Sequence, residues 1–305
     1  MPLLNSRFPH RSARARATVA AALLAALPLL LGLPGTADAS PASRGGRASE
    51  PAHPGDDWAG SQIARHEGTA TGPARSTSFL AAPSRTASAG SAASSRVKSV
   101  EGVDVSSHNG NVTWSTLWKS GVRFAYVKAT ESTSYTNKYF TQQYNGSYKA
   151  GMIRGAYHFA TPNTSSGSAQ ATYFLKHGGG WSKDGKTLPG ALDMEYNPYG
   201  STCYGMSADE LVKWMKDFFA TYKKRTGRDA VLYTSTSWWK QCTDNSTAFS
   251  STHPLWVPRY GSSVGTLPGG WNYQTFWQYT STGRTVGDHN RFNGASDRLK
   301  ALANG

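Results

Sequence analysis

Two carboxylates close an apolar run. In Leu188-Pro-Gly-Ala-Leu-Asp-Met-Glu-Tyr196, Asp193 and Glu195 stand one residue apart. Along an extended strand, residues i and i+2 face the same way with Cα atoms roughly 6.5–7 Å apart, so both acids would enter one space. Two like charges there repel, and one is pushed to keep its proton toward neutral pH. A protonated acid beside an ionised partner is the arrangement that cleaves glycosidic bonds. Against this stands a plainer reading, in which one acid caps the helical region that follows, since perturbed pairs are often structural. Asp104, in Gly-Val-Asp-Val-Ser-Ser-His, ends another apolar run, and Asp288, in Gly-Asp-His-Asn-Arg-Phe, is a fourth candidate. Around the acids lie Tyr157, Phe159, Tyr196, Trp256, Tyr260, Trp277 and Tyr279. Exposed rings beside carboxylates make a floor for sugars, although each ring taken alone also fits a core position.

Positioning such acids requires strands that end together. Short β-branched and aromatic runs alternate with amphipathic ones, a pattern of βα units. Strands are predicted at Gly102–Val105, Phe124–Lys128, Ile153–Phe159, Gly190–Glu195, Ala230–Thr234, Leu255–Pro258 and Thr275–Tyr279. The clearest helix is Ala208–Arg225, opened by Ser207 with Glu210 three residues later and closed by basic residues before Gly227. Its Leu211, Val212, Trp214, Met215, Phe218, Phe219 and Tyr222 recur at helical spacing, which assigns them to a core. Sequential βα units imply parallel strands, and about eight in roughly 200 residues is the size of a small closed barrel. The expected fold is therefore α/β, an irregular TIM-like β/α barrel with shortened helices in its closing half. Its active site belongs at the strand C-termini.

The 305 residues fall into three parts. Residues 1–39 carry Arg7, Arg11, Arg14 and Arg16 before an Ala/Val/Leu run and end in Ala37-Asp-Ala39, the pattern of a cleaved export signal. Residues 40–99 are rich in Ala, Ser, Gly, Thr, Pro and Arg, and read as a disordered leader or linker, with a pro-segment or a wall-tethering tail as the sharper alternative and no motif for the second. Residues 100–305 are the folded domain, with no second apolar stretch of spanning length, so a secreted, extracellular monomer is expected with no membrane contact after cleavage. Two cysteines, Cys203 and Cys242, are expected to be bridged in an oxidising compartment, closing a loop of about 40 residues. No zinc-ligand spacing or cofactor motif appears, so neither metal nor cofactor is expected. The net charge of +14 falls to +11 once the signal's four Arg and one Asp are removed, and residues 100–305 hold 21 basic and 13 acidic groups. Those charges are scattered and no nucleic-acid motif accompanies them, so anionic envelope polymers are the expected partners and nucleic acid is not.

Six ordered segments carry a resemblance. Gly102-Val-Asp-Val-Ser-Ser-His108, Gly121-Val-Arg-Phe-Ala-Tyr-Val-Lys-Ala-Thr-Glu131, Gly155-Ala-Tyr-His-Phe159, Leu192-Asp-Met-Glu195, Leu255-Trp-Val257 and Trp277-Gln-Tyr-Thr280 resemble the glycoside hydrolase family 25 lysozymes, over about residues 100–300. The resemblance implies a flattened, irregular barrel and cleavage of the β-1,4 bond between N-acetylmuramic acid and N-acetylglucosamine in bacterial peptidoglycan. It carries the family's acidic set onto Asp104, Asp193, Glu195 and Asp288. It further implies Glu195 as general acid, with Asp193 orienting the substrate's own acetamido group as nucleophile. At the last motif the family usually has a Val-Asp or similar pair followed by x-Asn. Here Gly287 precedes Asp288-His-Asn290, with the acid and Asn290 kept.

Two rival readings belong to other classes. A family 18 chitinase also ends a strand in acids, but its DxxDxDxE run is not matched by Leu188, Pro189, Gly190 and Ala191. A noncatalytic wall-binding module would keep the fold without chemistry, and the intact Asp193/Glu195 pair argues against it.

Overall fold

A computed structural model describes residue 55, residues 57–68 and residues 99–305. The expected signal and its cleavage after Ala39 lie outside the described residues, as does most of the 40–99 stretch. The strands are β1 (Val100–Val105), β2 (Phe124–Glu131), β3 (Tyr135–Thr136), β4 (Ile153–Phe159), β5 (Ala191–Asp193), β6 (Val231–Tyr233), β7 (Leu255–Pro258), β8 (Phe276–Thr280) and β9 (Asp288–Phe292). The helices are α1 (Ile63–Glu67), α2 (Trp114–Lys119), α3 (Phe140–Lys149), α4 (Gly167–Lys176), α5 (Ala208–Thr226), α6 (Thr236–Thr243) and α7 (Ser296–Asn304). Strands pair in the ring β1-β2-β4-β5-β6-β7-β8-β9 and close through β9 on β1, while β3 folds back antiparallel on the end of β2.

The barrel corrects the expectation of all-parallel strands. From β1 to β8 the ring is parallel, but β9 runs antiparallel to both neighbours. The reason is length: residues 281–287 separate β8 from β9, and a parallel crossover needs a dozen residues or more. The closing half is irregular as expected, with no helix between β7 and β8.

Two layers of apolar side chains hold the ring. Inside it, Phe124, Tyr126, Tyr157, Tyr233, Trp256 and Phe276 are buried in one cluster, with the Tyr126 and Trp256 rings 4.8 Å apart. Outside it, Ala156, Leu192, Leu232 and Val257 meet the inward faces of α4 and α5. Helix α5 begins with the Ser207/Glu210 capping box and ends on Gly227 in the left-handed conformation, and it buries Leu211, Trp214, Met215, Phe218, Phe219 and Tyr222. Cys203 and Cys242 are bridged, which ties the turn before α5 to α6.

A second correction concerns the leader. Residues 57–68 are not free of structure: they enter the mouth of the barrel and end in α1, with Asp57, Ala59, Gln62 and Ile63 buried. Composition failed to indicate this because few apolar side chains are involved, and most of the hydrogen bonds to the barrel are made by backbone N–H and carbonyl groups.

Candidate active site

The acids gather at one end of the barrel. Asp193 is the last residue of β5, and Glu195 follows two positions later, beyond the strand rather than inside it as predicted. Both are fully buried. Neither carboxylate oxygen of Asp193 has a hydrogen-bond partner among the described residues, and neither has Glu195 Oε2. Burial drives both carboxyls well above the usual carboxylate range. For Glu195 the nearby Asp193 charge pushes the same way, whereas Lys128 partly offsets the rise at Asp193.

Asp104, near the end of β1, faces Asp288, at the start of β9, across the antiparallel pair. Asp104 Oδ2 accepts from Asn290 Nδ2 at 2.7 Å and from Gln278 Nε2 at 2.9 Å. Burial raises Asp104 to about 7 in spite of these bonds, and Asp288 rises through burial and the neighbouring Asp104 charge. Gln278 is oriented by its other end, where Oε1 accepts from Tyr233 Oη at 3.0 Å. Asn290 is oriented by Trp256, whose Nε1 donates to Asn290 Oδ1 at 2.7 Å. Gly287 has φ +89°, and a Cβ there would stand 2.5 Å from the Asp104 carbonyl oxygen, so a valine cannot take its place in this turn.

A buried cation completes the mouth. Lys128 Nζ lies 2.6 Å from Glu131 Oε2, with both side chains fully buried. In a regular strand these positions would point to opposite faces. The pairing of β2 with β4 shifts between Lys128 and Thr130, and this bulge turns both side chains to the same side.

Of the rings expected to floor a sugar site, three border the mouth. Tyr157 Oη accepts from Ala59 N, Tyr260 Oη donates to the Gly60 carbonyl, and Tyr196 stacks on His66 with centroids 4.1 Å apart. The other four stand apart from these contacts. Trp256 and Phe159 are, like Tyr157, fully buried with residues 57–68 in place, Trp256 in the barrel interior and Phe159 opposite Asp193 in the β4–β5 pairing, beneath Lys128 Nζ at 5.0 Å. Trp277 and Tyr279 flank Gln278 on β8, so strand alternation turns them to the outer face, where Trp277 Nε1 donates to the Arg259 carbonyl and Tyr279 Oη to Glu101. Asn290 joins the acids as expected. Lys128, Glu131, Tyr233 and Gln278 were not singled out from the sequence. Polar residues inside an otherwise fully buried strand such as β2 were the available signal.

His158 sits in the core, with Nδ1 2.7 Å from Thr130 Oγ1 and Nε2 2.9 Å from Gln170 Oε1, and burial lowers it to about 4. No group of His, Cys, Asp or Glu among the described residues is arranged to hold a metal ion. What the mouth offers is acid chemistry: a carboxyl that keeps its proton, a second carboxyl without partners, and amide and hydroxyl donors around them.

Comparison with known proteins agrees with this geometry. Residues 103–288 match the family described as Glycosyl hydrolases family 25. The chain is 51% identical over 210 residues to Lysozyme M1 of Streptomyces globisporus, covering 67% of this chain and 71% of that one. It is 50% identical over 210 residues to an N,O-diacetylmuramidase of Chalaropsis sp, covering 68% of this chain and the whole of that one. Among solved structures, the muramidase from Acremonium alcalophilum superposes with TM-score 0.67 at 54% identity, covering 67% of this chain and 99% of that one. Residues 57–68 lie outside the family match. With the match spanning most of the barrel and these relatives covered over two thirds or more of their length, the chain belongs to glycosyl hydrolase family 25.

Proposed function

We propose that the protein is a secreted peptidoglycan hydrolase that cleaves the β-1,4 bond between N-acetylmuramic acid and N-acetylglucosamine. The observation that carries this reading is the Asp193/Glu195 pair, two buried carboxyls without full hydrogen-bond satisfaction at the end of β5. The relatives named lysozyme and muramidase supply the substrate class.

In this reading Glu195 is the general acid. Burial under residues 57–68 or under a bound sugar, together with the adjacent Asp193 charge, favours the proton that Glu195 gives to the leaving glycosidic oxygen. Asp193 orients the 2-acetamido group, whose carbonyl oxygen attacks the anomeric carbon as the leaving bond breaks, and stabilises the positive charge that develops on that group. Water then attacks the anomeric carbon of the cyclic intermediate, the bond to the acetamido oxygen breaks, and Glu195 takes the water proton and so returns to its acid form. Asp104 and Asp288, bridged by Gln278, border the same space and are assigned to substrate positioning, together with Tyr157, Tyr196, Tyr260 and Asn290. The arginine-rich, Ala/Leu-rich start of the sequence supports export to the compartment that holds this polymer.

The test is product analysis on a defined, alternating wall oligosaccharide. New reducing ends on N-acetylmuramic acid, first released as the β-anomer, are expected. New N-acetylglucosamine reducing ends, or turnover of chitin oligomers in preference, would move the assignment to another glycosidase. An α-anomer would replace acetamido participation by direct attack of water.

A further inference from the structure

The residues assigned to catalysis are already occupied, and the occupant is this chain itself. Gly60 N donates to Glu195 Oε1 at 2.6 Å. The Ala59 carbonyl accepts from Gln278 Nε2 at 3.0 Å, and Ala59 N donates to Tyr157 Oη at 3.3 Å. The Gly60 carbonyl accepts from Tyr260 Oη at 3.1 Å. The Asp57 carbonyl accepts from Lys128 Nζ at 2.6 Å, and Gly55 N donates to Glu131 Oε2 at 3.0 Å. At the far end, Glu67 accepts from Tyr196 Oη at 3.0 Å while His66 stacks on the same ring.

We propose that residues 57–68 are an autoinhibitory segment that fills the catalytic cleft and keeps the full chain latent until it is displaced or removed. The proposal rests on the muramidase reading for the identity of the substrate, but the occupation of the cleft does not. A sugar cannot reach Glu195 Oε1 while an amide hydrogen holds it. The segment is not itself a substrate, because it presents Glu195 with a donor rather than with a glycosidic oxygen.

The fit is close in chemical type as well as in space. Ala59 offers a methyl group, an N–H and, on the same residue, a carbonyl, all fully buried. Its N–H and carbonyl are held by Tyr157 and Gln278, polar groups of the mouth that a bound sugar would otherwise meet. Gly60 lets the backbone come this close: its φ is +89°, and a Cβ there would run into Gln278 Oε1 and the hydroxyls of Tyr260 and Tyr233. The segment also brings a further acid, Asp57, raised to about 7 mainly by burial, whose charge opposes ionisation of both Asp193 and Glu195. Because the occupant is intramolecular, its binding is independent of protein concentration. The segment lies outside the family match, and relatives covered almost completely by 210 residues or fewer show that the barrel suffices as a unit.

The test compares the chain from Ser40 to Gly305 with its Gly60→Val variant on a soluble wall oligosaccharide. If the segment fills the cleft more than about nine-tenths of the time, kcat/KM of the unaltered chain is lowered about tenfold or more, and Gly60→Val restores it. A synthetic peptide of residues 53–68 should bind a chain that starts at Ser99 and compete with substrate, and the same peptide with Gly60→Val should not. Equal kcat/KM for both chains, or loss of activity in Gly60→Val with an unchanged Tm, would overturn the proposal, the latter by showing the segment to be part of the working enzyme. Should no form turn over substrate, the muramidase reading fails separately, and the peptide-binding comparison still decides: binding abolished by Gly60→Val supports the inhibitory segment, and absent binding refutes it.

Discussion

Asp104 and Asp288 are register partners on the antiparallel strands β1 and β9, and one amide nitrogen, Gln278 Nε2, lies 2.9 Å from the first carboxylate and 3.4 Å from the second. Only the reversed direction of β9 brings its first residue, rather than its last, to the mouth of the barrel. The strand that breaks the parallel rule therefore delivers the fourth acid to the other three.

The Asp104 carboxyl has a consequence for stability. Its folded value of about 7 lies above its ordinary value of 3.8, so between those limits the folded state holds a proton that the unfolded state has released. Stability from this group is greatest in acid and is lost as pH rises through the window toward 7. Asp104→Asn keeps an oxygen to accept from Gln278 and Asn290 without the buried charge. The variant is expected to gain several degrees in Tm over wild type at pH 8 and little at pH 4, with loss of activity at both, an effect on the order of a few kcal/mol. Thermal melts across pH check this, and a Tm difference that does not change with pH would refute the assigned cause.

Much of the site was legible in the sequence where local pattern and burial agree. The apolar run into Asp193 marked β5, and the capping box of Ser207 with Glu210 marked α5 almost to the residue. Strand β9 was missed because its inward positions are Asp288, Asn290 and Phe292, two of them polar, so the alternation that identifies strands was absent for a functional reason. Lys128 and Glu131 were missed because a bulge, invisible to a period-two pattern, puts them on one face. Trp256 looked like a sugar platform and instead orients Asn290, a distinction that depends on the inside and outside of a closed ring. Residues 57–68 carry little compositional sign of order because most of their hydrogen bonds to the barrel run through backbone N–H and carbonyl groups, which composition does not register.

The Cys203–Cys242 bridge spans 39 residues in sequence and fastens the approach to α5 against α6. Replacing both cysteines by serine is expected to lower stability by on the order of 4 kcal/mol in the chain-entropy description of the unfolded state, while leaving KM for a short oligosaccharide nearly unchanged. Denaturant titration with kinetics on the folded variant measures both. An unchanged midpoint would show that the bridge contributes nothing to the fold.

Long-range attraction should separate two substrates. Residues 100–305 carry 21 basic and 13 acidic groups, an excess that would attract anionic wall polymers and is screened over about 10 Å at 0.1 M salt. Contacts in the cleft are shorter than that. Added salt is therefore expected to weaken binding to intact walls severalfold while altering turnover of a neutral soluble fragment much less. Equal salt dependence for both would assign wall affinity to the cleft alone.

The acid pair gives the sharpest expectation. Glu195→Gln preserves shape but removes the transferable proton, so kcat should fall about 10²-fold or more while oligosaccharide binding persists. Asp193→Asn removes the charge that helps to raise Glu195, so the Glu195 carboxyl should release its proton at lower pH. The general acid is active only while protonated. The alkaline limb of the rate profile should therefore shift to lower pH in Asp193→Asn, on top of a loss in kcat from the missing stabilisation of the acetamido group. Both measurements are best made with the cleft open, in Gly60→Val chains, so that displacement of residues 57–68 does not mask the titration of Glu195. A Glu195→Gln chain with wild-type kcat, or an alkaline limb that moves upward in Asp193→Asn, would take the proton-donor role away from Glu195.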